Sequence, residues 1–199
     1  SSALARFLGQ ASAGTFYGQI GMNAPFLIGA AFMAPALWLA QRIGRRLDGS
    51  SYQERVWASR KDPWVDRLAS AWLIKRFIDR KAKFAWIDQP RKRPRNAVGF
   101  DFDGAEFTHS NNRVTFEVLL TSFSLENDPA LAAIGAAVHF LDIGGIPVSD
   151  ARGLETVLRG VKEEVRNDDE LLSEAARIFD LFYSAYEQSR SEQSTTSIN

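Results

Sequence analysis

The chain has no cysteine and only two histidines, His109 and His139, in 199 residues. The first absence excludes disulfides, thiolate metal ligands and a cysteine nucleophile. The second confines any imidazole chemistry to two positions. There is no glycine-rich phosphate loop, no dinucleotide fingerprint, no defensible Ser/His/Asp arrangement and no internal repeat. There is no net charge and no initiator Met. Arg6 is the single early positive charge, and no short apolar run after it ends in a small-residue cleavage site. The N-terminus therefore does not read as a signal peptide, and the chain is expected to be cut from something longer.

What is present is uneven. Phe7 to Gln41 is a run of 35 residues without a charge, in a chain that is otherwise about one-quarter charged. Residues 1–50 carry four arginines and one aspartate, whereas residues 51–199 carry 20 basic and 23 acidic groups. An excess of acid in the larger part speaks against nucleic acid as a partner. A bilayer core needs about 20 mostly apolar residues in a helix. Ala24–Ala40, extended by Gly21–Asn23 and Gln41, supplies that length, with small residues for helix packing and Trp38 as an anchor. Arg42, Arg45 and Arg46 follow directly. The expectation is a membrane partner through residues 7–42, a span over 22–42, and an inner-membrane protein with the residues after 42 cytoplasmic. Residues 18–31, Gly-Gln-Ile-Gly-Met-Asn-Ala-Pro-Phe-Leu-Ile-Gly-Ala-Ala, resemble the join into the last transmembrane helix of a major facilitator superfamily transporter. That resemblance covers about 45 residues and brings no substrate-binding residue with it.

The remainder reads as a domain of different character. Four segments are expected: a transporter-like part over 1–47, a linker over 48–56, a domain over 57–187 and a disordered tail over 188–199. Asp62-Pro63 reads as a helix start. Val65, Leu68, Ala69, Trp72, Leu73 and Phe77 then share one face. Phe84–Asp88 is a predicted strand. Ala97–Phe102 and Glu106–His109 read as a hairpin across Asp103-Gly104. Helices are predicted from Thr115 to Phe123, from Asp128-Pro129 to about Asp142, over Asp150–Val165, and after an Asn167/Glu170 capping box. The fold class is mainly α with a small β-sheet (α+β), amphipathic helices packing around a short hairpin.

The chemistry-bearing residues fall into two sets. Glu106 and His109, then Glu117, then His139 and Asp142 supply two imidazoles and several carboxylates. His139 and Asp142, three apart on a helix, share a face. His109, Glu117, His139 and Asp142 are the candidate metal ligands, with Asp101 and Glu106 behind them. Such N and O donors suit a divalent ion, Mn, Fe or Zn. The second set is Arg67, joined by Lys75 and Arg76, as oxyanion-binding cations near a helix N-terminus.

Three ordered blocks carry a further resemblance. Trp57-Ala-Ser-Arg, then Asp66-Arg-Leu-Ala-Ser-Ala-Trp-Leu-Ile-Lys-Arg-Phe-Ile-Asp79, opens the first. Phe100-Asp101, Glu106-Phe-x-His109 and Thr115-Phe116-Glu117 form the second, and Val138-His139-x-x-Asp142 with Gly153-Leu-Glu-x-x-Leu-Arg-Gly160 the third. Over about residues 56–186 they resemble the C-terminal domain of chromate-resistance protein B. The resemblance implies a role in chromate resistance, with a metal ion or chromate as ligand. It places both histidines on motif positions and adds Asp66 and Trp72 as motif positions of unknown role. Where the family has cysteines, this chain has Ser70 and Val114, so a thiol step is excluded; the acid that often follows the histidine is Phe140. The expected function is a metal- or oxyanion-binding domain at the end of a transporter. The alternatives are a metal-dependent oxidoreductase acting on chromate or reactive oxygen, a DNA-binding regulator and a non-catalytic interaction module.

Overall fold

In a computed structural model, residues 47–196 are described, with side chains through Ser189. The expected transporter-like segment and its span at 22–42 lie outside the described residues. Among the described residues no helix is long and apolar enough to cross a membrane.

A 3-10 turn, Gly49–Tyr52, precedes the sheet. Strand β1, Val56–Arg60, is followed by helix α1, Val65–Leu73, a π-helical turn, Ile74–Ile78, and strand β2, Lys83–Ile87. The two strands pair in parallel with Trp57 opposite Phe84, making a β-α-β unit. Strand β3, Val98–Gly99, adds to the other side of β1, also in parallel. The sheet order is β2-β1-β3. β1 is thus central, and Trp57, Ala58 and Ser59 are all buried. A parallel strand covered on both faces shows no polar/apolar alternation, which is why the sequence conceals it.

The hairpin expected across Asp103-Gly104 is not formed. Gly104 does turn with φ of 81°, but Phe100 and Phe107 meet in a single parallel bridge. Phe107 N–H donates to the Gly99 carbonyl and Asp101 N–H to that of Phe107. The segment curls back on the β3 end instead of pairing along its length. The start of α1 also differs: Asp62 has φ of 55°, and Trp64 precedes the first helical residue without a side-chain cap.

Four helices complete the domain: α2, Thr115–Ser122; α3, Pro129–Ile143; α4, Ala151–Glu164; and α5, Asp168–Thr196. The Asp128 carboxylate accepts from Ala130 and Leu131 N–H, so Asp128-Pro129 starts α3 as its residue types dictate. Asn167 Oδ1 caps Glu170 N–H, and Glu170 accepts in turn from Arg166 N–H, at the start of α5. α5 continues to Thr196 and overlaps the tail that composition marks as disordered.

α5 packs on α1 and α3. Trp72 of α1 lies between Phe116 and Phe179, with ring centroids 6.5 and 5.5 Å away. Trp57 stacks on Phe107 at 5.9 Å. Burying each such ring contributes roughly 1.5–3 kcal/mol, so these two tryptophans anchor the helical and the sheet layers. Asp79, fully buried, ties the layers together. It accepts from Glu54, Arg55 and Lys81 N–H and from the Trp57 indole. Four donors on one carboxylate fix the entry of β1 against the end of the π turn.

Candidate functional site: a carboxylate cluster around His109

Asp66 stands in the first turn of α1 and is buried. Its side chain crosses to α2, where Oδ2 accepts from Thr115 N–H and Oδ1 from Phe116 N–H, both at 2.9 Å. These are two of the N–H groups a helix leaves unpaired at its start. Asp66 therefore caps a helix 49 residues away while lying at the positive end of its own. Two helix N-termini favour its negative charge.

His109 comes from the loop before α2 and places Nε2 3.1 Å from Asp66 Oδ2. The same nitrogen lies 3.5 Å from Asp101 Oδ1 and 3.5 Å from Asp142 Oδ2. Asp142 arrives from the last turn of α3. Asp101 has left-handed backbone, φ of 56°, a conformation aspartate tolerates better than most residues. Its carboxylate accepts from the buried Thr115 hydroxyl and lies 2.8 Å from Arg67 Nε. The Arg67 N–H is not aimed at that oxygen, so the contact is ionic, without a directed hydrogen bond. The arginine head also reaches the Lys61 and Asp62 carbonyls at 3.5 and 3.4 Å.

The electrostatics follow from this crowding. Burial, then the Asp66 charge, raises the Asp101 carboxyl above its ordinary range, with Arg67 pulling the other way. Burial and Asp66 raise Asp142 likewise. His109 is raised above the ordinary imidazole value, chiefly by its hydrogen bond to Asp66. All three shifts run in the same direction, toward holding protons: burial leads for the two carboxyls and the Asp66 hydrogen bond for the imidazole, with the neighbouring carboxylates adding to each.

Asp66, His109 and Asp142 offer ligand atoms that all lie within 4.8 Å of one another. Of the four ligands expected from sequence, the structure thus gathers His109 and Asp142, and brings in Asp66. Glu117 and His139 form an adjoining pair. His139 Nδ1 meets Glu117 Oε2 at 2.8 Å, and the same oxygen accepts from Val114 N–H. Glu117 therefore shares the capping of α2 with Asp66, where the sequence suggests Thr115. Asp101 stands against the cluster, 3.5 Å from His109 Nε2. Glu106 does not: it accepts from Gly99 N–H and pairs with Arg93. A Cβ on Gly99 would lie 2.8 Å from that Glu106 oxygen, so this approach needs glycine. Lys75 and Arg76 are also apart from Arg67. Arg76 pairs with Asp180 and lies over the Tyr183 ring at 4.6 Å. Trp72 donates its indole N–H to Asp180 at 2.8 Å, which makes it a core and bracing residue. The loop after Asp142 carries Gly144 and Gly145 with φ of 85° and 110°, and at Gly145 it passes beside the His139 ring.

The ChrB C-terminal domain family matches residues 57–186, which include every member of the cluster. The chain belongs to that family. It is 51% identical over 152 residues to Protein ChrB of Cupriavidus metallidurans (strain ATCC 43123 / DSM 2839 / NBRC 102507 / CH34). The match covers 76% of this chain and 47% of the relative, so the chain spans about half the length of the curated relative. No solved structure matches it. Within this ChrB-type domain, Asp66 is the functional candidate that sequence reasoning left without a role. Its partners are 43 to 50 residues away, so no local spacing rule finds it.

Proposed function

We propose that this ChrB-type domain holds a divalent cation between Asp66, His109 and Asp142, and that it serves chromate resistance through that ion. The supporting observation is the convergence of three carboxylates on one imidazole nitrogen at 3.1, 3.5 and 3.5 Å, offset by a single guanidinium. A proton at Nε2 answers part of that charge; a divalent ion in its place answers more. Tetrahedral bonds of about 2.1 Å put donor atoms roughly 3.4 Å apart, close to the 3.1 and 3.5 Å from His109 Nε2 to Asp66 and Asp142. Nitrogen and carboxylate donors without sulfur favour Mn, Fe or Zn over softer ions. Arg67 and Asp101 then set the charge of the surroundings.

The same geometry argues against chromate as the direct ligand at this place. A dianion entering here meets carboxylates, and Arg67 is already engaged by Asp101. As a second reading, the His109 side chain is 40% exposed, which leaves solvent access for a redox role of the bound ion; turnover of chromate by the loaded protein separates that reading from simple binding. The uncharged run before Arg42 further supports a membrane-attached chain with this domain on the cytoplasmic side, testable by fractionation and protease protection.

Elemental mass spectrometry of the purified chain and its His109→Ala variant tests the main proposal. One equivalent of Mn, Fe or Zn, lost in a variant that remains folded, is the expected result. Absence of metal after incubation with each ion overturns it.

A further inference from the structure

The π turn, β2 and α5 enclose an open cleft of about 900 Å³ that the carboxylate cluster does not use. Lys75 and Arg76 line it from the π turn, Arg80 from the connection to β2 and Lys83 from the first position of β2, and Phe84 and Ser173 are also in its walls. Its two carboxylates are held by indoles. Trp72 Nε1 donates to Asp180 and Trp86 Nε1 to Asp169, each at 2.8 Å. Arg76 also pairs with Asp180. Among the described residues, Lys75, Arg80 and Lys83 have no carboxylate partner, and all three are exposed. Four cations thus face two carboxylates that are already committed.

The backbone supports the same reading. Asp79 N–H donates to the Ile74 carbonyl at 2.7 Å, closing the wide π turn that carries Lys75 and Arg76. Such turns are rare in helices and concentrate at functional positions. The far end of this one is pinned by the buried Asp79, so the two side chains are presented from a fixed base.

We propose that this cleft binds an organic polyphosphate anion of nucleotide size. Lysine ammonium groups and an arginine fork are the donors that phosphate oxygens select. A cleft of this volume is in the range of ligand pockets for organic molecules, well above the need of a single inorganic oxyanion. Phe84, half-buried and stacked on Trp86 at 5.9 Å, offers an aromatic face for an apolar ring. The excess of acid over residues 51–199 disfavours a long nucleic-acid chain, whereas a small anion responds to the local field alone. The inference is independent of the cation site.

Calorimetric titration of the full chain with ADP, tripolyphosphate and inorganic phosphate tests it. A single saturable ADP site, weakened at least tenfold in the Lys75→Gln/Lys83→Gln double variant, is expected. Both lysines are exposed and unpaired, so the variant keeps the parent unfolding midpoint. The Lys81→Gln control removes a nearby exposed lysine that pairs with Glu54, outside the cleft, and leaves ADP binding unchanged. No saturable ADP binding, or equal weakening by Lys81→Gln, overturns the site. Tripolyphosphate binding as tightly as ADP overturns the organic part of the ligand.

Discussion

Replacing Asp142 with asparagine separates the cost of the cluster from its use. Among the described residues no backbone N–H donates to the Asp142 carboxylate; its contact in the site is His109 Nε2 at 3.5 Å. Its ligand atom lies within 4.8 Å of that of Asp66. Two unit charges at that separation repel by about 3 kcal/mol at an effective dielectric of 20. A protonated His109 offsets this, so near pH 6 the substitution is close to neutral. At pH 8, with the imidazole less protonated, the repulsion stands. Asp142 has a quarter of its side chain exposed, and solvent screening cuts the figure to roughly 1–2 kcal/mol. Asp142→Asn in chelator is therefore expected to raise the pH 8 melting temperature by roughly 3–6 °C, while binding of Mn(II) or Zn(II) falls at least tenfold. Scanning calorimetry and metal titration on the same preparations read both effects. A melting temperature lowered by several degrees at pH 8 refutes the repulsion argument. Undiminished metal binding refutes Asp142 as a ligand.

In chelator, the parent chain loses stability as pH rises from below 6.5 into the alkaline range. His109 has its folded value raised above 6.5, so its contribution is complete below that pH and is lost above it. Asp101 and Asp142, raised from 3.8, act in the same sense as they ionise. Thermal melts across pH 5.5–8.5 check this, and a rising melting temperature contradicts it. His139→Ala costs about 1–2 kcal/mol by removing the partner of the capping Glu117, yet keeps metal content; parallel denaturation and elemental analysis decide. Asp79→Ala strips the acceptor from four donors and destabilises by more than about 3 kcal/mol, read by urea unfolding. Ser70 is fully buried and its hydroxyl has no partner among the described residues, so Ser70→Ala or Ser70→Cys raises stability by about 1 kcal/mol in the same assay.

Elements with a local signal were legible: the Asp128-Pro129 start of α3 and the Asn167/Glu170 box stand where their spacing puts them, and the apolar face expected after Asp62-Pro63 lies on α1 from Val65 to Leu73, with Phe77 carried onto the π turn. β1 was not. Its five residues follow a polar stretch, and a central parallel strand lacks alternation. The Asp103-Gly104 turn was real, but a turn signal does not say whether its flanks pair, and here they curl against β3. In the site, the residue types of His109, Asp142 and Asp101 could be read from the sequence as candidates, and these three do lie together. Which histidine joins which acid depended on contacts between elements far apart in sequence, and so Glu117 and His139 separated from the cluster.

Asp66 shows why the site and the fold resist separate reading. Its carboxylate satisfies two N–H groups of α2, and that capping alone would justify a buried aspartate. Capping does not require Asp101, His109 and Asp142 to gather around it. A carboxylate caps equally well with neutral neighbours, and two further acids in the same place raise its energetic cost. Charge accumulated beyond structural need is the pattern expected of a site that trades stability for binding. The two roles also couple. If the proposed cation binds at Asp66, it acts on the carboxylate that holds α2 against α1, so its occupancy would change the stability of that helix joint through one side chain, without any thiol.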